Sequence, residues 1–218
     1  MVKNASRRTF VVALCSAALA CGLAVAPLAF AETAATGDKA SAAQTGETRE
    51  FTDSLGRTVE IPAEITAIAP SGYLPQQVLL TVAPEKMVVL ASSLTESQAH
   101  FFGEQYAGLE EVGAIFGAKG DFNREAVAAS GAQIVIDVGD TKKGMAEDLD
   151  ALQEQLGIPC VHIFSNLATY GDCYRTLGEL LGVEERANEI ADYCDAAYKE
   201  ISDVMETIPV EDRVDVLY

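Results

Sequence analysis

Between residues 51 and 183, short apolar runs alternate with segments whose apolar residues recur every three or four positions. The alternating pattern of residues 51–62 predicts a small hairpin with its turn near residues 54–56. The further predicted strands are 65–69, 87–91, 112–116, 133–138 and 160–164, and the predicted helices are 74–82, 93–102, 124–129, 145–156 and 169–181. Strands that alternate with helices predict an α/β fold, in which a parallel sheet forms the middle of three layers.

The longest helical pattern covers residues 184–208. Its apolar residues are Ala187, Ile190, Ala191, Cys194, Ala197, Tyr198, Ile201, Val204, Met205 and Ile208. This is the spacing of one helix face, and Pro209 is a typical stop. At 1.5 Å per residue the helix would be roughly 35 Å long, enough to connect two bodies. Val214, Val216 and Tyr218 alternate as a strand would, so we expect residues 209–218 to begin a truncated second lobe.

Residues 1–31 have the pattern of an export signal. Arg7 and Arg8 precede an apolar run, as in twin-arginine signals, and residues 29–31 form a small-x-small cleavage site. A general secretory signal, lipidation at Cys21 and an uncleaved membrane anchor over residues 10–31 remain open alternatives. Residues 32–49 are rich in Ala, Thr, Gly and Ser and are predicted to be a disordered spacer. We therefore expect the protein in the periplasm or at the outer face of the cell membrane.

Composition limits the classes of function. The formal net charge is −18, which excludes non-specific nucleic-acid binding because phosphates need a basic surface. With two histidines and no Cys-x-x-Cys pair, a protein-held zinc site is not expected. Cys173 and Cys194 fall on consecutive predicted helices, where either a disulfide or two buried thiols would fit. His162 lies inside a predicted strand and is interpreted as a hydrogen-bonded core residue.

The loops after the predicted strands are the candidate ligand site, because ligands bind at the carboxyl ends of parallel strands. Lysines concentrate in two of these loops, which indicates either an anion site or solvated side chains, and nearby aromatic residues suit a flat apolar ligand. The candidate ligand-binding residues are Ser71, Gly72, Tyr73, Ser92, Ser93, Phe116, Lys119, Asp140, Lys142, Lys143 and Ser165. The sequence contains no nucleophile elbow, zinc-protease motif or phosphate loop, so no enzyme activity is expected.

Several segments occur in an order that resembles one protein family. They are residues 52–62, 68–71, 85–89, 112–113, 123–126, 134–136, 157–159 and 177–182. The ordered set resembles the substrate-binding proteins of ABC importers for iron-siderophore complexes, haem and cobalamin. The resemblance implies an N-terminal lobe over 51–183, a connecting helix over 184–208 and a ligand cleft between two lobes. It further implies a monomer without a resident cofactor that captures a metal chelate and delivers it to a membrane permease.

One position departs from that family. Its members usually have a glutamate early in the first helix of the lobe, which pairs with permease arginines, and the matching residue here is Gln77. A neutral amide cannot form that ion pair, and Glu85 lies at the far end of the helix. The alternative hypothesis is an exported surface or scaffold protein that reuses the lobe without transport.

Changing Arg7 and Arg8 together to lysine should block export, because the twin-arginine receptor reads the paired guanidinium groups. The measurement is the fraction of the protein outside the cytoplasm by cell fractionation. Undiminished export of the double variant would leave only the general secretory route.

Overall fold

A computed structural model describes residues 46–116 and 121–214. The strands are β1 Thr48–Thr52, β2 Thr58–Pro62, β3 Ile68–Pro70, β4 Val89–Leu90, β5 Glu110–Glu111, β6 Ile134–Gly139 and β7 Cys160–Phe164. The α-helices are α1 Tyr73–Val82, α2 Glu96–Phe102, α3 Arg124–Ala129, α4 Met145–Leu156, α5 Tyr170–Leu181 and α6 Glu184–Thr207. Short 3₁₀ helices cover Pro84–Lys86, Glu104–Tyr106 and Val210–Asp212.

The predicted α/β fold with a parallel sheet is confirmed. Strands β3, β6 and β7 are parallel and adjacent in that order, and Asp137 of β6 lies opposite His162 of β7. Strands β4 and β5 form a second parallel pair, linked to β3 by a bridge between Ile68 and Met87. All six residues of β6 are buried, as expected for a strand covered on both faces.

Two apolar clusters cover the two faces of the sheet. Ile134 and Ile136 of β6 pack in one cluster with residues of α1, α5 and α6. Val135, which points to the opposite face, packs in the other cluster with residues of α3 and α4. This alternation gives the helix–sheet–helix layers that the sequence predicts.

The hairpin of β1 and β2 is tied to the sheet through one buried carboxylate. Asp53 accepts hydrogen bonds from Arg57 at 2.7 Å and from the His162 amide at 3.2 Å. Arg57 also donates to the Cys160 carbonyl and pairs with Asp150, both at 2.7 Å. Burial opposes the charge of Arg57, but the two carboxylates outweigh it and raise its pKa. The turn of the hairpin is therefore fixed against β7.

Helix α6 is held by α5 over its first half only. Ala187 and Ala191 are fully buried there, and a Cβ on Gly178 would lie 2.6 Å from the Ala187 Cβ, so glycine permits this close approach. Further along, the apolar face is exposed, and Ile201 is 64% and Val204 54% accessible. The predicted helix over 184–208 is therefore present with its end one residue earlier.

Several predicted boundaries are wrong. Residues 112–116 do not form a strand; the strand there is Glu110–Glu111, because Gly113 turns the chain with a φ of 78°. The first strand begins at Thr48, inside the predicted spacer, and its residues alternate between exposed and half-buried. Val214 lies outside any strand. The signal over 1–31, the apolar run over 10–31 and residues 215–218 lie outside the described residues.

Candidate functional site

The carboxyl ends of β3, β6 and β7 lie side by side, and the loops that follow them form one edge of the sheet. We call these loops, together with residues 113–116 after β5, the ligand edge: residues 71–74, 113–116, 140–144 and 165–169. Ser71 enters it directly after β3. Its amide donates to the Ile136 carbonyl at 3.1 Å, and its buried hydroxyl donates to Oδ1 of Asp137. Ser71 is thus tied to the central strand.

A buried acid–imidazole pair lies beneath the ligand edge. Oδ2 of Asp137 is 2.7 Å from Nδ1 of His162, and the imidazole is fully buried. The prediction that His162 is a hydrogen-bonded core residue is confirmed. The Asp137 carboxylate lies between the Ser71 hydroxyl and the imidazole, which is not the order that activates a serine nucleophile. Asp137 was missed as a site residue, although a lone acid in an apolar strand was the available signal.

The segment after β5 brings two predicted site residues together. Nζ of Lys142 lies 5.5 Å from the centroid of the Phe116 ring, within the range of a cation–π contact. The Ile115 amide donates to the Ser71 carbonyl at 2.8 Å, and a Cβ on Gly72 would lie 3.4 Å from the Ala114 Cβ. Ser71, Gly72, Phe116 and Lys142 therefore share one corner of the edge.

The serines after β4 have structural partners of their own. The buried Gln76 side chain accepts from the Ser92 amide at 2.9 Å and donates to the Ser92 carbonyl at 3.1 Å. The Ser93 amide and hydroxyl both donate to Oε2 of Glu111, at 3.0 and 2.6 Å, and these bonds lower the pKa of Glu111. Gln76 was not predicted, and it fixes the loop that carries Ser92.

The other predicted residues lie on the same edge with different exposure. Tyr73 is half exposed, and Asp140 and Lys143 are exposed. Ser165 is buried; its amide donates to the Gly139 carbonyl at 3.0 Å, and within the described residues its hydroxyl has no hydrogen bond of good geometry, although the Cys173 thiol lies nearby. Lys119 lies outside the described residues.

Exposed apolar side chains border these polar groups. Leu74, Phe164 and Leu167 are 42%, 36% and 77% accessible, and Leu74 lies next to Gly139 at the end of β6. These three residues were not among the predicted ligand-binding residues. With Lys142 and Phe116, they give the edge both apolar and cationic components, which suits a ligand with an apolar surface and negative charge.

The thiols and carboxylates that the structure describes are not grouped as metal ligands. Within the part of the chain that the structure describes, no group of three or more His, Cys, Asp or Glu side chains could hold a metal ion. Cys173 is buried, Cys194 is half-buried, and both are free thiols, the second of the two predicted options. Burial raises the pKa of Cys173 to about 11, which keeps it protonated at neutral pH.

Glu85 is engaged within the lobe. It pairs with Arg186 of α6 at 2.9 Å. Burial opposes its ionisation, but the Arg186 hydrogen bond, a backbone hydrogen bond and the charges of Arg186 and Lys86 together outweigh burial and lower the pKa of Glu85. Gln77 is exposed on α1. None of the described helices is both long enough and apolar enough to cross a bilayer.

Comparison with known proteins identifies the fold through solved structures. No protein-family model and no curated protein matches the sequence. An ABC transporter solute-binding protein from Sulfurospirillum deleyianum superposes with a TM-score of 0.66 at 22% identity, over 76% of this chain and 52% of that one. The TroA-like periplasmic binding protein FepB from Veillonella parvula superposes with a TM-score of 0.56 at 22% identity, over 73% of this chain and 50% of that one. The molybdate periplasmic binding protein MolA from Haemophilus influenzae, bound to molybdate, superposes with a TM-score of 0.54 at 17% identity, over 76% of this chain and 56% of that one.

These similarities confirm the resemblance at the level of the fold. The chain has the fold of the periplasmic solute-binding proteins of ABC transporters, and it spans about half the length of the structures that it matches.

Gly113→Ala should destabilise the protein more than Gly131→Ala. The two glycines have φ angles of 78° and 79°, so the cost of a left-handed alanine, about 1 kcal/mol, is shared. At Gly113 the new Cβ would also lie 2.5 Å from the Asp121 carbonyl oxygen, whereas at Gly131 nothing lies within 4 Å. Urea unfolding measures both variants, and equal losses would contradict the close packing of residues 113 and 121.

Proposed function

We propose that this protein is an extracytoplasmic solute-binding protein of an ABC importer, and that the ligand edge captures the solute. The observation that carries the proposal is the cluster of Ser71, Phe116 and Lys142 at the carboxyl edge of the parallel sheet, in a lobe with the fold of such proteins. Loops in that position bind ligands in open α/β sheets. The long helix α6 adjoins the same lobe.

The solute in this proposal is a metal chelate, such as a ferric siderophore, haem or a cobalamin, and the edge best suits one that carries negative charge. Lys142 and Lys143 would attract negative charge, while Tyr73, Leu74 and Phe164 offer apolar contact. The solute bound by MolA is molybdate, an oxyanion, which supports a cationic contribution in a protein of this fold. In this proposal the metal arrives with its chelator and is not held by protein side chains.

Delivery to a membrane permease is the second part of the proposal. The exported lobe would dock through the surface around Gln77, where a neutral amide replaces the carboxylate that the family usually presents. Glu85 does not supply the missing charge, since it is paired with Arg186. The neutral Gln77 also favours the alternative function, an exported surface or scaffold protein that does not transport.

The direct test is retention of a coloured solute. The exported protein is incubated separately with haemin, cyanocobalamin and a ferric siderophore, desalted, and examined by visible absorbance. Stoichiometric retention of one of them supports the proposal. If none is retained while the protein stays folded by circular dichroism, the scaffold alternative is supported instead.

Changing Lys119, Lys142 and Lys143 to glutamine should weaken binding of an anionic solute from that panel, most strongly at low salt, where screening is least. The measurement is the dissociation constant as a function of ionic strength. Lys142→Gln and Lys199→Gln provide a matched comparison, because Lys199 is an exposed lysine on α6 paired with Asp203. Equal affinities of these two single variants at all salt concentrations would show that the edge lysines are merely solvated.

A further inference from the structure

Two of the ligand-edge loops are joined through the buried pair. The Ser71 hydroxyl, in the loop after β3, donates to Oδ1 of Asp137. The other oxygen of that carboxylate meets Nδ1 of His162 at 2.7 Å. Nε2 of the same imidazole lies 3.4 Å from Oγ1 of Thr141, in the loop after β6. One buried pair thus contacts a loop at each of its ends.

The same loops are joined a second time at the surface. Lys142, next to Thr141, lies over the ring of Phe116. Ile115, next to Phe116, donates its amide to the Ser71 carbonyl at 2.8 Å. Starting from Ser71, the contacts pass through the buried pair to one loop, across to the segment 113–116, and back to Ser71. We call this closed set of five contacts the loop circuit.

Stability alone does not account for the buried part of the circuit. Asp137 and His162 lie in strands that are otherwise apolar, and buried polar groups are tolerated only when they are hydrogen-bonded. Apolar residues of similar volume often match or exceed the stability of a buried pair. The other charged groups near the pair are Asp53, which accepts from the His162 amide, and its partner Arg57.

We propose that Asp137 and His162 are positioning residues that hold the loops of the ligand edge in one arrangement before a solute arrives. The pair spans the end of the sheet, and its two outward partners belong to different loops. Removing it would leave the sheet and the bond from the Ser71 amide to the Ile136 carbonyl intact. It would free the Ser71 side chain and thereby loosen the segment 113–116, which donates to the Ser71 carbonyl. That this edge binds a solute rests on the proposed function, whereas the positioning itself is a property of this chain.

The experiment is native-state hydrogen exchange on the full chain carrying Asp137→Leu with His162→Phe. This double variant replaces the pair with apolar side chains, so the strands remain covered. The Ile115 amide, which reports the loop circuit, should exchange at least about tenfold faster, the change that loss of one net hydrogen bond produces. The Val135 amide, which donates to the Pro159 carbonyl within the sheet, should keep its rate.

A control and a second variant keep the test decisive. Val161→Ala opens a cavity on the other face of β7. It should increase the exchange rate of the Val135 amide at least as much as that of the Ile115 amide. The positioning role is overturned if the double variant leaves the exchange rate of the Ile115 amide unchanged. It is also overturned if the exchange rates of the Ile115 and Val135 amides rise equally. If the double variant fails to fold, Thr141→Val at the exposed end of the circuit replaces it. Faster exchange of the Ile115 amide with an unchanged rate at Val135 supports the proposal, and an unchanged rate at Ile115 overturns it.

Solute affinity gives the functional readout. The dissociation constant of the panel member that the wild-type protein retains should rise tenfold or more in the double variant and remain unchanged in Val161→Ala. Wild-type protein that retains no haemin, cyanocobalamin or ferric siderophore would contradict the proposed function, while the exchange rates would still decide the positioning role. Unchanged affinity with a selectively loosened Ile115 would show that the circuit does not serve binding.

Discussion

The parallel pairing of β3, β6 and β7 is the constraint on which the candidate site depends. Parallel strands point their carboxyl ends the same way, so the three loops that follow them must begin at one edge. The register then decides which side chains meet there. Because Asp137 lies opposite His162, a carboxylate and an imidazole meet where the two strands end. A shift of β7 by one residue would turn His162 to the other face and break the contact.

Both faces of the sheet are covered by apolar clusters, which lets its polar groups be few and specific. The hairpin is attached through Asp53 and Arg57, and the loops through Asp137 and His162, so most polar contacts of the sheet serve to attach other segments. The interior therefore gains stability mainly from apolar burial. Its buried polar groups orient the surface, which is the division of roles expected of a rigid scaffold with a binding edge.

The sequence predicted those elements whose ends are marked by local signals. Strand β7 and helix α3 have the predicted bounds, since a short apolar run after Pro159 and an Asn123 cap are local signals. The prediction of a strand over residues 112–116 was wrong. Their apolar pattern is that of a strand, whereas Gly113 bends the chain at a point that only tertiary contacts reveal.

The sequence predicted where the candidate site lies in the fold, but it did not predict which side chains contact one another there. The rule for parallel sheets predicted loops that the structure brings to one edge, and Ser71, Phe116 and Lys142 share a corner there. The roles of Asp137 and Gln76 depend on contacts between residues 16 to 66 positions apart, which no local pattern encodes. Leu74 and Phe164 were missed because an apolar residue in a helix or strand is ordinarily assigned to the core.

Mapping of backbone amide chemical shifts shows which residues of the protein contact the solute. The protein is titrated with the solute that it retains after desalting, and the shifts of assigned amides are followed. If the ligand edge binds the solute, the largest changes occur in residues 71–74, 113–116, 140–144 and 165–169. Changes centred on the exposed half of α6 or on the hairpin, with these four segments unaffected, would contradict binding at the ligand edge.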